Sequence, residues 1–151
     1  MSALSAPLHA GEPLSNAKLM HIVEGFFDHG LPKEQWTHGA HLVIGLFLIH
    51  AHGLERADAM MPEMIRSFNT AKGGINSDKE GYHHTLTIFY LRILAAYFDQ
   101  HKNTPLAQMC ANLLMAPQGA RDYPLKHYSK ERLFSPQVRK SWVEPDVSES
   151  V

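Results

Sequence analysis

Two short stretches carry the side chains best suited to chemistry in this sequence of 151 residues: Trp36-Thr37-His38-Gly39-Ala40-His41 and Gly81-Tyr82-His83-His84. His38 and His41 are three apart, so on a helix they share a face with their Cβ atoms about 5–6 Å apart. Two imidazoles so placed could hold one divalent metal ion such as zinc. A third ligand, His83, becomes available if the two stretches meet. Three histidines plus a water form a catalytic zinc arrangement in which the metal lowers the pKa of the water to about 7. The chemistry expected of such a centre is hydrolysis of a small molecule, with Tyr82 or His84 assisting proton transfer. Spacing alone argues weakly, because 11 histidines scattered over 151 positions give about 0.8 such pair by chance. The location argues better: both stretches precede apolar runs, and a helix N-terminus favours the neutral imidazole that ligation requires.

A metal-free reading uses other residues. Trp36, Tyr82, Tyr128 and Trp142 supply an aromatic wall, and Arg132, with its forked guanidinium, suits a carboxylate or phosphate. This would be a binding protein for a small anionic molecule. A third reading is an interaction module without catalysis, a homodimer joined through the methionine stripe of Met60, Met61 and Met64. Against all three stands a structural account. In it Trp36 and Trp142 are core-edge aromatics, His38 belongs to a capping turn, and Arg132 holds the C-terminal segment to the bundle through an ion pair.

Composition narrows the partners. The formal net charge of -1 gives no global attraction to nucleic acid or to anionic membrane. Lys126 to Arg132 and Arg139-Lys140 are locally basic, with Tyr128 and Trp142 interleaved, but the patch is short and the acidic tail opposes it. Cys110 is the single cysteine, which leaves no intrachain disulfide and no thiolate cluster. The longest apolar run, Leu42 to Ile49, is far below the roughly 20 residues of a membrane span. Met1 to Pro13 lacks the basic start and apolar centre of a secretory signal. A cytoplasmic protein is expected.

The elements that must position the histidines are all helical. No window alternates apolar and polar residues with the period of two that marks a strand, so the chain reads as an all-α, single-domain bundle of about five main helices. Residues 1–13 are expected to form a flexible arm, 14–143 the helical domain and 144–151 a disordered acidic tail. Ser15 or Asn16 caps a first helix that ends near Gly30, with Leu19, Ile22, Val23, Phe26 and Phe27 on one face. Thr37 caps a second, apolar nearly all round from Leu42 to Ile49 and therefore central. A third runs from Leu54 through Phe68, with Pro62 expected to kink or restart it. After a loop at Asn69 to Gly81, a fourth runs from about Gly81 to Gln100, or from a turn earlier if Ser77 and Glu80 form a capping box. Thr104-Pro105 opens a fifth that reaches Met115. An irregular C-terminal segment then leads to a short last helix between Ser135-Pro136 and Trp142.

Several phrases of the chain resemble those of a family of small uncharacterised bacterial proteins: Leu-Pro-Lys-Glu-Gln-Trp-Thr-His-Gly-Ala-His-Leu from Leu31, Gly-Tyr-His-His-Thr from Gly81, Tyr-Ser-Lys-Glu-Arg-Leu-Phe-Ser from Tyr128 and Trp-Val-Glu-Pro-Asp from Trp142. The likeness runs in order from Leu31 to Asp146. It implies a family and no activity. Members of that group often carry glutamate where this chain has His84, which puts any ligand or proton-shuttle role carried over to that position in question.

Overall fold

The computed structural model describes Leu4 and residues 6–147. Among the described residues there are seven α-helices and no strand. Helix α1 spans Asn16–Phe27, and the Ser15 side chain accepts the Lys18 N–H at 3.0 Å, satisfying one of the four backbone donors that a helix start leaves free. Leu19, Ile22, Val23 and Phe26 follow at i, i+3, i+4 and i+7, and all four are buried. The helix ends at Phe27 rather than at Gly30. His29 takes the left-handed conformation at φ 61°, which ends a helix, and the Asp28 carboxylate accepts the Gly30 N–H at 2.7 Å just beyond it.

A single 3-10 turn, Lys33–Gln35, leads into α2, His38–His52. Thr37 caps α2 as its sequence position predicts, accepting the Ala40 N–H at 3.2 Å. Leu42, Val43, Ile44, Leu46 and Leu48 are almost wholly excluded from solvent, each buried side chain of this kind contributing about 1.5–3 kcal/mol. Burial on every side follows from the neighbours: α2 touches α1, α3, α4 and α5.

Helix α3, Leu54–Ala71, runs unbroken through Pro62. Loss of one backbone donor is tolerated there because Pro62 itself is buried in the core and the apolar face continues through Met61, Ile65 and Phe68. The methionine stripe belongs to this face: Met61 is buried, and Met60 and Met64 pack against the core.

Helix α4, His84–Gln100, begins later than Gly81 or the Ser77–Glu80 box would put it. Ser77 and Glu80 instead close their own turn, the Ser77 N–H donating to the Glu80 carbonyl, and His83 is the cap. The approach of α2 to α4 depends on Gly45, where a Cβ would lie 2.7 Å from Leu94 Cδ1. Helix α5, Leu106–Met115, is preceded by Pro105 without a side-chain cap, so Thr104 does not play the capping part its position suggests. Two further 3-10 turns, α6 (Lys130–Leu133) and α7 (Pro136–Lys140) complete the chain. Helix α7 stops before Trp142 because Ser141 turns extended.

The two ends are tied down where they are described. Lys18 Nζ donates to the carbonyls of Leu4 and Ala6, and Leu8 packs against the core. The expected acidic tail is held over residues 144–147: Ser129 donates through its N–H and its hydroxyl to Asp146 at 2.8 and 2.7 Å, and the Val147 N–H donates to the His127 carbonyl at 2.9 Å. The rest of that tail, 148–151, and residues 1–3 and 5 of the arm lie outside the described residues. No helix among the described residues is long and apolar enough to cross a membrane.

Candidate functional site

The starts of α2 and α4 meet. His38 and His41 from the first and Tyr82 and His83 from the approach to the second line one cavity of about 430 Å³, within the 300–1,000 Å³ typical of small-molecule sites. Its floor is apolar, built by Leu42 and Gly45 of α2, Met61 and Ile65 of α3, and Leu86, Leu91 and Leu94 of α4. Asn69, Thr87, Tyr90 and Arg121 complete the lining.

The three histidines do not behave alike. His83 uses both ring nitrogens: Nδ1 accepts the Leu86 N–H at 3.1 Å as the cap of α4, and Nε2 lies 2.9 Å from the Leu133 carbonyl, to which it must donate. No lone pair is left for a metal. His41 Nδ1 donates to the Thr37 carbonyl at 2.7 Å, so its Nε2 carries a lone pair with no partner among the described residues. Its ring stacks on Trp36 with centroids 3.6 Å apart. His38 is the mirror case: Nε2 donates to the Gly119 carbonyl at 3.1 Å and Nδ1 is left over. Burial holds all three below the ordinary histidine pKa, His41 down to about 4. At neutral pH the cavity wall therefore presents uncharged imidazoles, two of them with an acceptor to spare.

Among the described residues no group of three or more His, Cys, Asp or Glu side chains is placed to hold a metal ion. The expected set of His38, His41 and His83 shares a cavity but not a coordination site, and the reason is the capping duty of His83. A helix that starts at His84 needs its first free N–H groups satisfied, and the His83 ring supplies that acceptor.

Tyr82 lies in the wall with its hydroxyl 2.7 Å from His84 Nδ1, and the Arg66 guanidinium covers its ring at 4.3 Å. Burial pushes the Tyr82 hydroxyl up to about 12, so it stays protonated. His84 stands behind Tyr82 and does not line the cavity. Burial and then the Arg66 charge lower its pKa.

Trp36 reaches a neighbouring cavity of about 450 Å³ but not the first one. Tyr128, Arg132 and Trp142 reach neither. Tyr128 is fully buried and donates to the Val143 carbonyl at 2.7 Å, while Arg132 Nε donates to the Glu144 carbonyl at 2.9 Å. The Trp142 ring lies under the Arg92 guanidinium at 4.3 Å, and its Nε1 donates to Glu144. Thr85 joins them, its hydroxyl donating to the Ser141 carbonyl and accepting the Val143 N–H. These residues clamp the C-terminal segment to α4 and α6. The expected aromatic wall with an anion-orienting arginine is therefore a strap, which agrees with the structural account of Arg132, save that its partner is a backbone carbonyl instead of a carboxylate.

Two lining residues escaped the sequence reading. Tyr90 looks like a core aromatic by its helical spacing, yet its buried hydroxyl meets no partner among the described residues; burial first, then the carboxylate of Asp122, raise its pKa and keep it protonated. Arg121 sits in a segment without periodicity and is brought to the cavity by the 3-10 turns that follow α5. Asn76 organises the loop behind the site. Its Oδ1 accepts from Asn69 Nδ2 at 3.1 Å and from the Tyr82 N–H at 3.0 Å, and its Nδ2 donates to the Arg66 carbonyl at 3.1 Å. Gly81 completes that turn at φ 81°, where a Cβ would fall onto the Ile75 carbonyl oxygen. Compared with known protein families, curated proteins and solved structures, the chain has no match.

Proposed function

We propose that this protein binds, without a metal, a small carboxylic acid with an apolar body and a hydroxyl or amide N–H group. The observation that carries this reading is the pairing of an apolar floor with unspent hydrogen-bonding capacity along one wall. Met61, Ile65, Leu91 and Leu94 supply the floor, and His38 Nδ1, His41 Nε2 and the Tyr90 hydroxyl have no partner among the described residues. The two lone pairs call for a ligand donor. Arg121 at the mouth and the Tyr90 O–H call for an oxygen acceptor, and a carboxylate satisfies both. Buried polar groups are normally paired, so unpaired ones grouped in a cavity mark the place of a ligand. The donor set supports the metal-free version, since His83 has no nitrogen left to offer.

The test compares 3-hydroxyoctanoate, octanoate and octanol by calorimetry and thermal shift, on protein purified without an affinity tag. Affinity should fall in that order, and a ligand at 100 times its dissociation constant should stabilise the fold by about 2.7 kcal/mol. Thr87→Phe, which fills the cavity, should abolish the response, and Arg121→Ala should weaken the two acids but not the alcohol. Equal affinities for all three probes, or a response that survives Thr87→Phe, would remove the proposal. Stoichiometric zinc retained through purification and lost to a chelator together with stability would restore the metal reading.

A further inference from the structure

His38 and Arg121 reach the first cavity through one backbone contact. His38 Nε2 donates to the Gly119 carbonyl at 3.1 Å, which fixes the ring and leaves Nδ1 as the nitrogen that can gain a proton. That atom has no partner among the described residues and, unlike the Tyr90 hydroxyl, is not sealed off from solvent. Arg121 follows two residues after Gly119, between the two 3-10 turns, and lines the same cavity. Its guanidinium is close enough for its charge to act on the His38 ring. A fixed cation and an imidazole lone pair therefore stand at the same end of a cavity whose floor is apolar.

The groups around the ring decide how it answers a ligand. From α2 comes His41, held neutral by burial with its one proton on Nδ1 for the Thr37 carbonyl. From α4 comes Tyr90, whose ring meets His38 edge-on at 5.6 Å and whose hydroxyl stays protonated. From the segment after α5 come Arg121, whose charge acts on His38, and Asp122, whose carboxylate acts on Tyr90. Without a ligand, burial and the Arg121 charge favour the neutral imidazole, against the opposing pull of the Gly119 bond. A carboxylate held by Arg121 reverses that preference. It offsets the guanidinium charge, and its oxygens face a lone pair that repels them unless a proton lies between the two.

We infer that the first cavity takes up its carboxylate together with one proton from solvent, held between a ligand oxygen and His38 Nδ1, so that acidification loads the site and alkaline conditions empty it. The inference rests on the carboxylate-binding reading given above and adds a division of labour to it. Arg121 and His38 grip the acid group, and His41 Nε2 is left to accept from the ligand's hydroxyl or amide N–H.

Octanoate is titrated into the natural sequence by calorimetry between pH 6 and 8, in two buffers with different heats of ionisation and at constant ionic strength. The difference in heat counts the protons exchanged. A net uptake approaching one proton is expected, with an affinity that rises by up to tenfold for each unit of acidification. Octanol, which has no acid group, should bind without uptake and without pH dependence. His38→Gln keeps an amide N–H for the Gly119 carbonyl but cannot gain a proton, so it should bind octanoate with no uptake and a flat pH profile. His41→Gln should still take up the proton. In case His38→Gln folds poorly, nitrogen NMR of labelled histidine in the natural sequence reads the same event: octanoate should move His38 Nδ1 to its protonated position, and octanol should not. Octanoate that binds without proton uptake overturns this inference and leaves the reading of the cavity standing. Uptake that survives His38→Gln, or that is lost in His41→Gln instead, overturns it as well. If octanoate does not bind at all, the reading and the inference fall together.

Discussion

The cavity end of α4 and its outer side, where the C-terminal strap lies, are built from the same kinds of residue and finish in opposite states. On the strap side every side chain singled out for chemistry is spent, Tyr128 on Val143, Arg132 on Glu144 and Trp142 on Arg92 and Glu144, and Thr85 beside them is spent on Ser141 and Val143. On the cavity side His38 and His41 are each half spent, and the Tyr90 hydroxyl and the Trp36 N–H are not spent at all. Residue type does not separate these two regions; leftover hydrogen-bonding capacity does. A tyrosine in the strap is a fastener, and the tyrosine beside the cavity keeps its hydroxyl unspent.

The largest test of this difference is acid. Burial depresses His41 to about 4 from an ordinary 6.5, so the unfolded chain takes up a proton near pH 6.5 that the native protein refuses until about pH 4. The native state should lose stability as pH falls through this window and be indifferent above it. The total for His41 alone is on the order of 3 kcal/mol, at 1.36 kcal/mol per unit. His38 and His83 are shifted in the same direction and add to the loss. In urea titrations at pH 7, 6, 5 and 4.5, His41→Gln should flatten the decline by about one proton. Parallel curves for the variant and the natural sequence would show that His41 is not held neutral. The strap contributes with the same sign by another route: two hydrogen bonds from Ser129 keep the Asp146 carboxyl below the usual range, so its tie loosens only as pH drops below the ordinary carboxylate pKa.

A middle-sized effect comes from the strap. Tyr128→Phe removes the donor to the Val143 carbonyl and should cost about 1–2 kcal/mol, since the carbonyl is left behind without its partner. The same change should speed hydrogen exchange at Val143 and Val147 while leaving binding in the cavity intact. If ligand affinity falls along with stability, the two regions are not separable in the way described.

Much of this was legible before the structure. Helix α2 announces itself as central because Leu42 to Ile49 is apolar all round, and Thr37 marks its start by a local rule that needs no tertiary information. The meeting of the α2 and α4 starts was legible as a possibility, since helices joined in series return to the same end. The assignment of roles failed where the outcome depends on which neighbour spends a side chain. Nothing in the sequence says that His83 caps α4, because histidine is an uncommon cap and Ser77 with Glu80 offers a stronger pattern nearby. Arg132 and Arg121 look alike in one dimension. One meets a carbonyl twelve residues away, and the other is delivered to a cavity by turns with no periodicity. Tyr90 was hidden for the opposite reason: its spacing on α4 is right for the core, and only the absence of a partner for its hydroxyl sets it apart.

The smallest expected effect is the sharpest, because it is close to zero. Tyr90→Phe keeps the ring that packs edge-on against His38 at 5.6 Å and against Phe89 at 5.7 Å, and it deletes a hydroxyl that has no partner to lose. Where the Tyr128 change strands a carbonyl, the Tyr90 change strands nothing and relieves a buried donor of its unmet demand. Stability in urea should therefore stay within about 0.5 kcal/mol of the natural sequence or rise. Affinity for a carboxylate probe should fall, since the oxygen that the Tyr90 hydroxyl would meet has lost its donor. A destabilisation comparable to that of Tyr128→Phe would mean that the hydroxyl is already engaged in the empty protein, and Tyr90 would then belong with the strap as a fastener.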